Sequence, residues 1–193
     1  MSSTSKRLAL AALALLTTNL PAWAAPRTYR IQADSTISYS GKHPAHQWTG
    51  VSRSLRGTFA FDAEAPALVS PVTVSIPVRS FDSGNRNRDS NALAILDAGR
   101  HPQVSLRIDR LTAIKREASG TSGSAVAEGL LTFHGVAKPI SFPITAQLVQ
   151  DRLQAQATFP VSVTAFGIER PKLLFVPIED TVMVKVTFSA KAE

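Results

Sequence analysis

The chain has 193 residues, with 21 Lys and Arg against 14 Asp and Glu, and it contains no cysteine. A disulfide framework and thiol chemistry are therefore excluded, and stability must come from an apolar core. The formal charge of +7 is spread along the sequence, far short of the concentrated basic surface of a nucleic-acid-binding domain, so no nucleic-acid partner is expected.

The first predicted element is a leader. Lys6 and Arg7 form a positive start, LALAALALL (8–16) an apolar middle, and Ala22-Trp23-Ala24 a small-residue cleavage signature. The apolar middle is much shorter than the ~20 residues of a membrane-spanning helix. A signal peptide over 1–24 is expected, cleaved after Ala24, with the remaining chain delivered to the periplasm. Cleavage removes two positive charges and no acids, leaving +5 over residues 25–193. That length fits one domain with a sizeable core.

Beyond the leader, apolar residues recur at every second position. The runs are Ile37 and Tyr39; Leu55, Phe59 and Phe61; Val72, Val74, Ile76 and Val78; Val104, Leu106 and Ile108. They continue with Leu131 and Phe133; Ile140, Phe142 and Ile144; Phe159, Val161 and Val163; and Val182, Val184, Val186 and Phe188. Period two is the strand signature, and the polar residues between give each strand one wet face. Turn signals separate the runs at DAEAP (62–66), SGTSGS (119–124), HGVAKP (134–139) and ERPK (169–172).

Eight strands result, and connections too short for crossover helices make them antiparallel. A sandwich or a closed barrel satisfies the count. An eight-stranded barrel either fills with its own side chains or holds one elongated ligand, and alternation leaves both open. One short helix is predicted near residues 89–98, with Leu93 and Leu96 on one face, Asp89 or Ser90 as its cap and Gly99 as its stop.

The chemistry-bearing residues are sparse. His43 and His46 stand three apart, but Pro44 argues against a helix that would place them on one face, and no further ligand follows at metal spacing. A surface loop and no metal site are expected there. His101 and His134 lie beside turn signals without a G-x-S-x-G elbow, so no catalytic residues are assigned. The polar run SGNRNRDSN (83–91) offers Arg86 and Arg88 as guanidinium donors for an anion. The competing account pins Arg88 and Asp89 to the barrel wall, with Asp89 near the positive end of the helix.

Taken together, several segments resemble the YceI-like family. FDSGNRNRD (81–89) followed by LDAGRHPQVSL (96–106) is similar to its central signature, and GLLTFHGVAKPI (129–140) to its G-x-L-T-x-x-G-V-T-K-P-V segment. SGKH (40–43), LRGTFAFD (55–62) and TAFGIERP (164–171) agree in the same order and span nearly all of the chain after the leader. His101 and Leu106 depart from the pattern, where the family usually carries aromatic residues.

The resemblance implies an extended, all-β, lipocalin-like antiparallel barrel that holds a long-chain isoprenoid amphiphile of the ubiquinone or prenyl pyrophosphate type. It implies export and no catalytic activity. The expected apolar lining is Phe59, Phe61, Leu93, Leu96, Leu106, Phe133, Phe142, Ile144, Phe159, Val161 and Phe166. The expected rim is Arg86, Arg88, Asn91 and His101. An enzyme acting on such a lipid, or an accessory of a membrane redox complex bound transiently at the membrane surface, are the alternatives. A homodimer is left open.

Overall fold

The structure, a computed structural model, describes residues 26–62, 67–68, 70–118, 120–173 and 175–193. The expected leader and most of the DAEAP turn lie outside the described residues. In chain order the elements are β1 (Arg27–Ile31), β2 (Thr36–His43), β3 (His46–Ser52), β4 (Thr58–Asp62), β5 (Ala67–Leu68), β6 (Val72–Pro77) and helix α1 (Arg86–Ile95). There follow β7 (Gln103–Arg116), β8 (Ser122–Phe133), β9 (Val136–Val149), β10 (Arg152–Ser162), β11 (Lys172–Leu173), β12 (Val176–Pro177) and β13 (Thr181–Ala192).

Apart from the separate β11–β12 hairpin and the short β5 beside β4, these pieces occupy eight positions around one antiparallel sheet. β6 to β10 are joined in order, and β10 pairs with β13. The other edge of β13 is shared: β2 pairs with residues 183–187 and β1 with residues 190–192. β3 lies beyond β2, and β4 beyond β1. β1 with β2, and β3 with β4, are thus two long strands, each interrupted once. Isolated bridges Val51–Asp82 and Arg56–Ser75 connect the second broken strand to the β6 edge and close the barrel. The eight-stranded barrel with one short helix expected from the periodicity and the resemblance is the observed architecture.

Both interruptions are patched by serine. Between β1 and β2, the fully buried Ser35 hydroxyl donates to the Ser189 carbonyl (3.0 Å) and accepts the Ser189 N–H (2.9 Å), replacing a missing ladder rung. Between β3 and β4, the buried Ser52 hydroxyl accepts from the Ser54 N–H (3.1 Å) and meets the Ser80 hydroxyl at 2.7 Å. Leu55, expected within a strand, lies in this second break and is still buried.

Inward phases meet in three buried clusters. Tyr29, Phe59 and Ala190 pack with Phe61 and Phe188 at one end; Ile31, Leu55, Val74 and Ile76 form the second. The largest holds Ile108, Ala127, Leu131, Phe142, Phe159 and Phe166 among others. Burying each large apolar side chain favours the fold by about 1.5–3 kcal/mol. β10 shows the pattern plainly: Ala157, Phe159 and Val161 are buried while Thr158 and Pro160 are exposed.

The helix begins earlier than the expected cap. Asn85, not Asp89 or Ser90, is the N-cap, its side chain accepting the Arg88 N–H at 3.1 Å. Asp89 sits in the first turn, where its two oxygens accept the Ser83 N–H at 3.2 Å each. At the other end the left-handed residue is Asp97 (φ 43°), not Gly99. The Asp97 N–H bonds to the Ala94 carbonyl (3.1 Å) and the Ala98 N–H to that of Leu93 (3.0 Å), with Ala98 buried beneath. This double bond around one left-handed residue is a Schellman stop.

Candidate functional site

α1 roofs a cavity of about 480 Å³ inside the barrel. This falls within the roughly 300–1,000 Å³ of small-molecule sites. Its walls are mainly aliphatic and aromatic. Val104 and Leu106 come from β7, Leu131 and Phe133 from β8, Phe159 and Val161 from β10, and Val182 and Val184 from β13. α1 contributes Asn87, Arg88, Asp89, Asn91, Ala92, Leu93 and Ile95, and its C-cap Leu96 follows.

Another part of the wall is the β2–β3 hairpin, whose β2 arm the Ile37–Tyr39 run marked in the sequence and whose β3 arm no run marked. Across its register Tyr39 faces Gly50, Gly41 faces Trp48, and His43 faces His46. A methyl group on Gly50 would stand 2.4 Å from the Tyr39 ring, and one on Gly41 2.5 Å from the Trp48 ring. Each glycine is therefore a seat over which the opposite aromatic side chain lies flat. Tyr39, Trp48, His43 and His46 all line the cavity. The findable signal was an aromatic residue paired with glycine on each arm of a tight hairpin.

α1 is tied to this wall. The Arg88 guanidinium lies 5.7 Å from the Trp48 ring centre and reaches the Ser83 hydroxyl at 3.4 Å. Tyr39 meets Phe81 edge-on at 5.5 Å. Burial raises the Tyr39 phenol above its ordinary range, the Asp89 carboxylate adds to the rise, and Arg88 and a hydrogen bond with Trp48 oppose it.

Of the expected apolar residues, Leu93, Leu96, Leu106, Phe133, Phe159 and Val161 line this cavity. Phe142 lies behind Phe159, stacked on it at 4.2 Å and buried. Phe166 is buried against Phe133 at 5.7 Å. Phe59 packs between Tyr29 and Phe188, 5.6 Å from each ring. Phe61 and Ile144 line a separate space of about 100 Å³ with Leu148 and Leu153. That space lies beyond the Phe142–Phe159 layer, further along β9 and β10 from α1.

Of the expected rim, Arg88 and Asn91 line the cavity, while Arg86 is exposed on the first turn of α1 outside the lining. His101 packs edge-on against His134 at 4.7 Å and lies outside the lining as well. His43 and His46 are brought together by strand pairing, their rings 5.7 Å apart, and His43 is buried rather than on a surface loop. Among the described residues, no three His, Asp or Glu side chains group as a metal site would require.

Beside the mouth, the β11–β12 hairpin carries Phe175 at 96 % exposure. Pro171, Lys172 and Ile178 at its base line the cavity.

The fold has counterparts among known proteins. The polyisoprenoid binding domain from Saccharophagus degradans superimposes with a TM-score of 0.68 at 14% identity, covering 86% of this chain and 98% of that one. BcnA of Burkholderia cenocepacia gives 0.67 at 21% identity, over 83% and 99%. The UPF0312 protein of Pseudomonas fluorescens is 29% identical over 157 residues, 72% of this chain and 78% of the relative. The YceI-like domain profile matches residues 29–190, which contain every strand from β2 to β12, the roofing helix and the whole cavity wall, and the chain belongs to that family.

Proposed function

We propose that this protein binds a long-chain isoprenoid amphiphile inside the barrel and carries or sequesters it in the periplasm after export. The observation that carries this reading is the 480 Å³ cavity, apolar along its barrel wall, with its polar residues mostly on or beside α1 and the β2–β3 hairpin and Lys172 on the β11–β12 hairpin. A flexible hydrocarbon chain needs greasy surface and length but few polar contacts. Its burial contributes about 25 cal/mol per Å² before the costs of ordering. Membership of the YceI-like family and likeness to a polyisoprenoid binding domain support the same ligand class.

The polar groups at the mouth, Tyr39, His43, Arg88 and Asp89, serve structure or recognition in this reading rather than turnover. Mass spectrometry of organic extracts from protein purified from its native compartment tests it. A prenyl lipid at one per chain is expected, and a chemically changed lipid after incubation would favour an enzyme.

Loading from a membrane surface is favoured by one feature, the exposed Phe175 on the β11–β12 hairpin, which follows Arg170 and Lys172 in the sequence. An aromatic side chain with basic neighbours suits the interface of an anionic bilayer. Phe175→Ser is expected to weaken sedimentation with phosphatidylglycerol vesicles while leaving binding of a short prenyl alcohol in solution unchanged.

A further inference from the structure

The barrel is not stitched equally all the way round. β8 pairs with β9 along its whole length, and β10 with β13 from Arg152 to Ser162. The broken strand made of β3 and β4 meets the β6 edge at only two points. Val51 and Asp82 exchange both backbone bonds at 2.9 Å, and Arg56 and Ser75 exchange theirs at 3.2 and 3.1 Å. Among the described residues, no other backbone hydrogen bond joins residues 46–57 to residues 72–82. Between the two points the link is made by side chains. The Ser80 hydroxyl gives its proton to the Pro77 carbonyl (2.6 Å), so the buried Ser52 hydroxyl is the donor to Ser80 at 2.7 Å.

The sequence keeps this seam thin. Backbone groups of alternate residues face the same edge of a strand, so the position after Ser75 on the seam edge is Pro77, which has no N–H to offer. The position before it is Thr73, whose carbonyl oxygen would stand 2.4 Å from a methyl group on Gly57. The seam closes there only because residue 57 carries no side chain. The seam also borders the cavity: Tyr39 and Trp48 line it from one side, and Ile76, Val78 and Phe81 from the other. A strand edge held by few rungs, between fully paired neighbours, is the first to open.

We propose that the barrel wall parts at this seam, between β3–β4 and β6, to admit and release its apolar ligand. The assignment rests on the reading of the barrel as a lipid site and specifies the route into it. The Tyr39–Phe81 and Arg88–Trp48 contacts bridge the same gap, so the start of α1 acts as a clasp across the seam.

A disulfide across the seam tests this. Arg56 and Ser75 are a hydrogen-bonded pair, whose Cα atoms stand about 5.5 Å apart, within the range a disulfide spans. Both lie outside the cavity lining, and the chain has no cysteine of its own to compete. The probe is the prenyl alcohol farnesol, with uptake and release followed through the fluorescence of Trp48 in the cavity wall. The oxidised Arg56→Cys, Ser75→Cys protein is expected to take up and release farnesol roughly tenfold more slowly than the same protein reduced, with Kd little changed because both directions share one route. Gly57→Ala, which wedges the seam, is expected to speed both.

Equal rates in the oxidised and reduced forms overturn the assignment while the lipid-site reading stands. If the native protein takes up no farnesol, the lipid-site reading falls and the route falls with it. Should the disulfide not form, amide exchange of the native protein decides instead. The Val51, Arg56, Ser75 and Asp82 amides are expected to exchange well before those that pair β8 with β9, and equal protection overturns the proposal.

Discussion

The guanidinium of Arg88 and the indole of Trp48 face each other at 5.7 Å, joining the first turn of α1 to the β2–β3 hairpin. Cation–π contacts of this kind are worth about 0.5–2 kcal/mol. Arg88→Gln is expected to lower stability by that order and to weaken quinone-ended and diphosphate-ended lipids alike, because the roof loosens for both. Arg86→Gln, on the exposed side of the same turn, is expected to change melting temperature and affinity little. Thermal melts read beside titrations with the two lipids check this. A selective loss of the diphosphate ligand on Arg88→Gln would instead assign Arg88 to a headgroup.

α1 buries no residue of its own, so its ends hold it. Asn85→Ala removes the cap and is expected to cost about 1 kcal/mol. The effect should concentrate in residues 86–95, visible as faster amide exchange there with unchanged protection in β8–β10. Ligand release is expected to quicken in the same variant.

Tyr39 provides a titration test of the mouth. Its pKa is raised in the fold, so the neutral phenol is the favoured form. The associated stability is fully present below the unfolded value of about 10 and is lost as pH rises through the higher folded value. Asp89→Asn removes one cause of the rise and is expected to move the phenol down, while Arg88→Gln is expected to move it further up. Ultraviolet absorbance titration follows the phenolate. The other tyrosine, Tyr29, is buried in the cluster at the far end, and Tyr29→Phe isolates the signal.

Phe142 is the rear half of the cavity floor. Phe142→Ala is expected to cost ~3–5 kcal/mol, as for other buried aromatic truncations. It should also connect the main cavity with the smaller space lined by Phe61 and Ile144, extending the reach for a long chain. Phe133→Ala is expected to cost less, since that ring is half-buried and already faces open cavity. Comparing denaturant midpoints, and affinities for prenyl chains of increasing length, checks both.

Facing was legible in the sequence; depth was not. Period-two alternation placed Phe59, Phe142, Phe159 and Val161 inward, and each is buried. Alternation is the same along the whole of β9, however, so it could not tell that Phe142 sits behind another ring while Ile144 belongs to a different space. The Ile37–Tyr39 run marked β2, but the pairing with β3 was hidden because its pattern runs across two strands: Gly41 means little until Trp48 is seen opposite it. The helix start was misplaced because Ser, Asp and Asn all suit a cap and SGNRNRDSN contains all three. Only the Arg88 N–H to Asn85 bond selects among them. His43 was set aside on Pro44, which forbids a helix but sits comfortably in a hairpin turn.

The position of β13 in the sheet governs the order in which this molecule can assemble. Residues 181–192 are the last strand of the chain, yet they pair with β10 on one edge and with β2 and β1 on the other, across most of the sequence. The hairpins from β6 to β10 can form as they emerge, but the ring waits for its keystone. A chain truncated before Thr181 would leave β10, β1 and β2 each without its β13 partner, and unpaired edges of this kind recruit other chains. Such long-range closure is slow to find. Whatever holds the newly made chain until residue 192 arrives therefore protects two open edges, and an apolar interior still exposed between them.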